Sequence, residues 1–168
     1  GAGQGAGDDH LGVLDGHHGP DADLIMDGLD NFKTRFIVND TALKLNIPWI
    51  YGGAVASKGT TMTIIPHQTP CLRCVMPGQV PQSSVHSCDT EGIISPAPWI
   101  VGSLQVSEAL KILTGFQGVN RYIIRLDVWD SNFQYIKVSP RQDCQACQGK
   151  YEFLNEKPKT KGISLYGR

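Results

Sequence analysis

Long apolar runs are missing from this sequence, and so is any block of like charge. Its apolar stretches are brief, such as Ile100–Val101 and Tyr122–Ile124, far short of the roughly 20 residues that a membrane-spanning helix needs. No basic start precedes an apolar stretch, so nothing reads as a secretory signal. Fifteen basic residues nearly balance sixteen acidic ones. Their even spread gives no footing for nucleic acid or an anionic membrane surface. No internal repeat is visible. Only five cysteines occur: Cys71, Cys74, Cys88, Cys144 and Cys147. Without a secretion signal they point to metal or catalysis before disulfides, and to a reducing, cytoplasmic setting.

The 168 residues are enough for one domain with a real core. Residues 1–20 are Gly-rich, hold His10, His17 and His18, and carry no strand or helix period. They read as a tag or linker. Gly1, Gly3 and Ala6 fit a G-x-G-x-x-A spacing, but no strand precedes it and no helical period follows, so a dinucleotide loop is set aside.

From Asp21 the texture changes. Ala22–Met26 reads as a short buried parallel strand closed by Asp27 and Gly28. Asn31–Asn46 carries a helical apolar face at Phe32, Phe36, Ile37, Ala42, Leu43 and Leu45, with Asp30 as the expected N-cap and Pro48 beyond its end. Ile47–Tyr51 reads as a strand stopped by Gly52 and Gly53, and the β-branched run Thr60–Ile65 as another. Strand, helix and strand in that order predict a parallel βαβ unit. Cys71–Pro98 is rich in proline and reads as a long irregular segment. A helix is predicted from about Trp99 to Thr114, ended by Gly115. Arg121–Val128 and Phe133–Val138 read as a hairpin about Asp130-Ser131-Asn132. A weak strand signal lies at Ile163–Tyr166. The fold class is α/β: a partial Rossmann-like sheet with flanking helices, an antiparallel extension and a metal clip.

Cys71-x-x-Cys74 and Cys144-x-x-Cys147 are the strongest chemical signal. Each pair lets two thiolates reach one ion, and two pairs complete the closed tetrahedral site that zinc prefers. The 69 residues between the pairs exceed the usual finger spacing, so the site would clip distant segments together, in a structural role. Disulfides or one redox-active pair are the alternatives, and Pro70 and Pro77 weigh against the redox reading. Cys88 stands alone in a polar stretch, Ser87–Gly92. It is either a small buried hydrophobe or a loop nucleophile. Asp27 and Asp30 follow the first strand, where open α/β sheets bind ligands. They could hold magnesium beside phosphate, although by spacing alone Asp30 is better read as a cap. Arg35 and Lys58 could neutralise phosphate.

Several stretches resemble the ThiF/MoeB/HesA adenylyltransferases, relatives of ubiquitin-activating enzymes. They are Asp27-Gly28-Leu29-Asp30-Asn31-Phe32-Lys33-Thr34-Arg35-Phe36 with Asn39-Asp40, Tyr51-Gly52-Gly53-Ala54, Pro70–Cys74, Cys88–Ile93, Glu108–Lys111, and the terminal Cys144-x-x-Cys147. The likeness covers residues 21–168, and it is strongest to the ThiF members. The resemblance implies an enzyme that uses ATP and magnesium to adenylate the C-terminal carboxylate of a ubiquitin-like sulfur carrier. It implies Asp30 and Asn31 at the nucleotide and metal, Asp30, Arg35 and Cys88 as catalytic residues, and Cys71, Cys74, Cys144 and Cys147 on structural zinc. A homodimer is expected. The half-domain that opens family members is not visible here, and the C-terminus reads as clipped, so this piece alone is expected to bind ATP poorly. The alternative is a zinc-stabilised module that docks a ubiquitin-like partner without chemistry.

Overall fold

The computed structural model describes residues 22–77 and 91–155. Residues 1–20, which the sequence suggests are a tag or linker, Cys88 and the Ile163–Tyr166 strand signal lie outside the described residues. Strand β1 (Ile25–Met26) leads through a turn to helix α1 (Phe32–Leu45). Strands β2 (Trp49–Val55) and β3 (Lys58–Ile64) follow, then a one-turn helix α2 (Leu72–Val75), the long helix α3 (Pro96–Leu113), β4 (Tyr122–Asp127), β5 (Asn132–Lys137) and a 3-10 turn at Glu152–Leu154.

The strands form one sheet in the order β1-β2-β3-β4-β5. β1 runs parallel to β2, with Ile25 opposite Trp49, as the βαβ reading predicts. The remaining pairs are antiparallel, with Ile50 opposite Thr63, Thr61 opposite Ile124 and Leu126 opposite Phe133. The predicted α/β class with an antiparallel extension is therefore what the chain adopts. Helices lie on both faces. Gly52 abuts the Gln105 side chain of α3 while the next residue, Gly53, abuts Arg35 of α1, and successive strand residues face opposite ways. The main core gathers on the α1 side around Phe36, Leu43, Trp49, Ile64 and Leu72. Each large side chain fully buried there stabilises the fold by roughly 1.5–3 kcal/mol.

Four expectations need correction. Gly52 and Gly53 do not stop β2, which runs on to Val55. A Cβ at Gly52 would lie 2.5 Å from Gln105 Nε2, and one at Gly53 3.1 Å from Tyr51 Oη. The two glycines let side chains close over both faces of the strand instead of breaking it. β1 is shorter than Ala22–Met26 and only partly buried, because it packs at the sheet's edge among the described residues. The cap of α1 is Asn31, whose Oδ1 accepts the Thr34 N–H at 2.8 Å, and not Asp30. Within the stretch read as irregular, Leu72–Val75 closes a helical turn, and α3 begins at Pro96. Proline suits a first helical turn, where its missing N–H leaves no bond unmade.

Candidate functional site

Asp27 ends the β1 segment, and the turn Gly28-Leu29-Asp30 carries the chain into α1. Asp27 is buried, so its carboxylate must find partners inside the protein. Oδ1 accepts the Leu29 N–H at 2.8 Å. Oδ2 accepts Arg35 Nε at 2.9 Å and the Gly52 N–H at 3.3 Å. Burial pushes the Asp27 carboxyl above its ordinary value, against the opposing pull of Arg35.

Arg35 is also buried. Its Nη2 donates to the Leu29 carbonyl and, at 2.8 Å, to the Gly52 carbonyl. Its guanidinium lies over the rings of Phe32 and Tyr51, with Cζ 5.4 and 5.1 Å from their centroids. The structure thus places the side chain read as a phosphate neutraliser in a network that ties turn, helix and strand together.

Asp30 is different. It is exposed, and Asn31 Nδ2 donates to its Oδ1 at 2.9 Å. That hydrogen bond, first among the influences, holds the carboxyl below its ordinary value, so Asp30 stays ionised at neutral pH. Both Asn31 groups are engaged: one caps α1 and the other orients Asp30. Asp30 lines a cleft of about 1260 Å³ with Asp27, Arg35, Gly53, Lys58 and Arg125 among its walls. Lys58 opens β3 opposite Asp127, so it stands beside a carboxylate.

The two C-x-x-C pairs meet. Cys71 Sγ lies 3.8 Å from Cys74, 3.6 Å from Cys144 and 3.6 Å from Cys147, and Cys74 lies 3.5 Å from Cys147. All four are free thiols within 4.8 Å of one another, a group that could hold a metal ion. A tetrahedral zinc with bonds of about 2.3 Å has sulfur–sulfur edges of about 3.8 Å, so the donor set fits. The crowded thiols compete for charge: hydrogen bonds from Cys147 and Cys71 draw Cys74 toward thiolate, while hydrogen bonding with Cys147 and Cys74 pushes Cys71 up. The Arg141 N–H points at Cys74 Sγ from 3.5 Å, the kind of outer contact that steadies a metal thiolate.

Asn39 and Asp40 fasten this cluster to α1. Asn39 Oδ1 accepts the Leu72 N–H at 2.8 Å. Asp40 Oδ2 accepts the Phe153 N–H at 3.2 Å and faces Arg73 Nη1 at 3.4 Å. Both residues are fully enclosed. Burial pushes the Asp40 carboxyl up, with its hydrogen bonds opposing. The folded state therefore holds a proton on Asp40 more tightly than the unfolded chain does. The cost of burying the ion is absent below the unfolded value near 3.8 and grows as pH rises through the raised folded value. Asp40→Asn, which keeps an acceptor for Phe153, is expected to gain stability relative to the parent as pH rises from about 4 to about 7. Paired thermal melts across that range check it, and a constant difference would refute it.

One participant escaped the sequence reading, and another was read for a different role. Gln105, on α3, is buried, and its Nε2 donates to the carbonyls of Asp27 and Ile50, each at 3.0 Å. Asp27 was legible only as a second candidate for magnesium. No apolar period marks either one, because both are polar residues in the interior. Among the described residues, no helix is long and apolar enough to cross a membrane.

The sequence profile of the ThiF family matches residues 15–147. The sulfur carrier protein ThiS adenylyltransferase of Bacillus subtilis (strain 168) is 42% identical over 151 residues, 88% of this chain and 44% of that protein. The sulfur carrier protein adenylyltransferase of Thermus thermophilus is 33% identical over 74% of this chain and 48% of its own length. The chain thus spans less than half the length of these relatives. Among solved structures, Escherichia coli MccB with MccA-N7isoASN superposes with a TM-score of 0.65 at 17% identity, over 80% of this chain and 43% of that one, which speaks for the fold alone. With a family profile matched across most of its length and a relative at 42% identity, the chain belongs to the ThiF family.

Proposed function

We propose that this chain carries the metal-facing carboxylate and the structural zinc module of an enzyme that adenylates a ubiquitin-like sulfur carrier, in the thiamin thiazole or molybdopterin pathway. The observation that carries the reading is Asp30: an exposed, ionised carboxylate, held by Asn31, at the carboxyl end of a parallel strand and on the wall of a large cleft. Ligands of open α/β sheets sit at that place, and the relatives are adenylyltransferases by name.

In the reaction, a terminal carboxylate oxygen of the carrier forms a bond to the α-phosphorus of ATP. The bond from that phosphorus to the bridging oxygen breaks, and pyrophosphate leaves with the electron pair. Magnesium, held through Asp30, would offset charge on the phosphates. Positioning and charge neutralisation supply most of the acceleration in such a displacement. Cys71, Cys74, Cys144 and Cys147 would hold zinc in a closed site with no open position for water, so its role is to fasten the fold. In this reading Cys88 supplies a thiol for covalent linkage to the carrier during sulfur transfer, and the enzyme works as a cytoplasmic homodimer.

The test is carrier-dependent exchange of labelled pyrophosphate into ATP, by the protein as its gene encodes it. Exchange that needs a carrier ending in Gly-Gly is the expected result. Carrier binding that persists after removal of the Gly-Gly tail, with no exchange, would favour the docking module instead.

A further inference from the structure

Asp30 projects from a three-residue turn that has no regular structure of its own, yet a metal-binding carboxylate must be held within a fraction of an ångström. What holds the turn is a set of buried polar groups from three separate elements. Asp27 Oδ1 takes the Leu29 N–H from inside the turn. Arg35, one helical turn into α1, takes the Leu29 carbonyl and the Gly52 carbonyl and pairs with Asp27 Oδ2. Gln105 crosses from α3, on the other face of the sheet, and joins the Asp27 and Ile50 carbonyls, just past the end of β1 and early in β2. Gly52 leaves it the room, since a Cβ there would meet the Gln105 amide at 2.5–2.8 Å.

Leu29 is thus gripped at both its N–H and its carbonyl, one residue before Asp30. The grip is rigid for a physical reason. The Arg35 guanidinium lies over the rings of Phe32 and Tyr51, and three donated hydrogen bonds fix the direction of its planar fork. Asp27 has every near donor accounted for and is closed off from solvent.

We propose that Asp27, Arg35 and Gln105 are positioning residues that clamp the Gly28–Asp30 turn from the β1 end, α1 and α3, and so aim the Asp30 carboxylate into the cleft. The inference rests on the reading of Asp30 as the metal-facing group. It moves Arg35 from the role of phosphate neutraliser to that of turn clamp, and it gives Gln105 a function that reaches across the sheet.

The test uses amide hydrogen exchange by NMR on this chain, with Mn2+ alone as the metal probe. Arg35→Lys keeps the charge but loses the fork. Gln105→Met keeps the volume but loses both donated bonds. Each is expected to speed exchange at the Leu29 N–H by about tenfold, the scale of one lost buried hydrogen bond. Exchange at the Leu72 N–H, held by Asn39 on the far part of α1, should stay at the parent rate. Broadening of the Asp30 and Asn31 amides by Mn2+ should weaken in both variants. Equal acceleration at Leu29 and Leu72 would mean a global loss of stability and overturn the clamp, as would an unchanged Leu29. Asp30→Asn separates the two layers: it should abolish the Mn2+ effect and leave Leu29 protected. If Mn2+ broadening survives Asp30→Asn, the metal reading fails, while the exchange at Leu29 still decides the clamp.

Discussion

Cys71→Ser is expected to abolish stoichiometric zinc binding and to lower the melting temperature by on the order of 10 °C or more. Cys71 is the substitution of choice because it is wholly enclosed and its sulfur touches all three partners. Serine removes one of four thiolates, and the three that remain are crowded sulfurs whose charges no cation offsets. The damage should spread beyond the cluster. Leu72 and Arg73, between the first two cysteines, bind Asn39 and Asp40 of α1, and Arg73 also holds Glu152 at 2.8 Å and lies 5.1 Å from the Phe153 ring. Phe153 in turn stacks on Phe36, with centroids 4.9 Å apart. Losing the metal therefore loosens the packing under α1 as well as the peptide around the sulfurs. Elemental analysis of the purified parent and variant, with paired melts, checks this. About one zinc per chain in the parent and none in the variant is the expected pair of readings. A parent free of zinc under reducing, chelator-free conditions would refute the structural zinc assignment.

The sequence disclosed most where a residue's job follows from its neighbours in the chain. The β4–β5 hairpin announced itself by alternation around Asp130-Ser131-Asn132, and the structure turns there with Ser131 at φ 51°. The meeting of the two C-x-x-C pairs was legible because four thiols on two short loops have few other stable fates. The Gly28–Asp30 turn was half legible. Its place, beyond a strand and before a helix, could be read, yet the division of labour within it could not. Asp30 and Asn31 are both good caps, and only the backbone geometry decides which one reaches the Thr34 N–H. The same blindness hid Gln105 and the buried structural roles of Arg35, Asn39 and Asp40. All four are polar residues on buried surfaces, and a reading based on apolar periodicity assigns such positions to solvent. Gly52 and Gly53 were misread for a related reason. A glycine pair looks like a strand end until the side chains that close over it, one from each face of the sheet, are known.

If Asp30 faces the metal as proposed, Asp30→Asn is expected to separate catalysis from folding. The side chain is exposed and, among the described residues, its side-chain hydrogen-bond partner is the adjacent Asn31, so the melting temperature should scarcely move. Asparagine keeps the shape and one oxygen but removes the negative charge, and magnesium held among phosphates relies on one or two carboxylates. Carrier-dependent pyrophosphate exchange is therefore expected to fall by about 10²-fold or more. The loss should appear in the rate at saturating ATP more than in the affinity for carrier, because the missing charge acts at the displacement and not at the docking surface. The pH dependence gives a second handle. The carboxyl sits below its ordinary value because Asn31 donates to the charged form, so activity should lose its Asp30 contribution only as pH falls through that lowered value. Neutral-to-mildly-acidic conditions should leave it intact. Asn31→Ala, which frees Asp30 from its donor and removes the α1 cap, should shift that acid limb upward while costing about 1 kcal/mol of helix stability. An Asp30→Asn enzyme that retains full exchange would place the metal elsewhere in the cleft, and Asp27, buried behind Arg35, could not take its place without breaking the pair that closes it off.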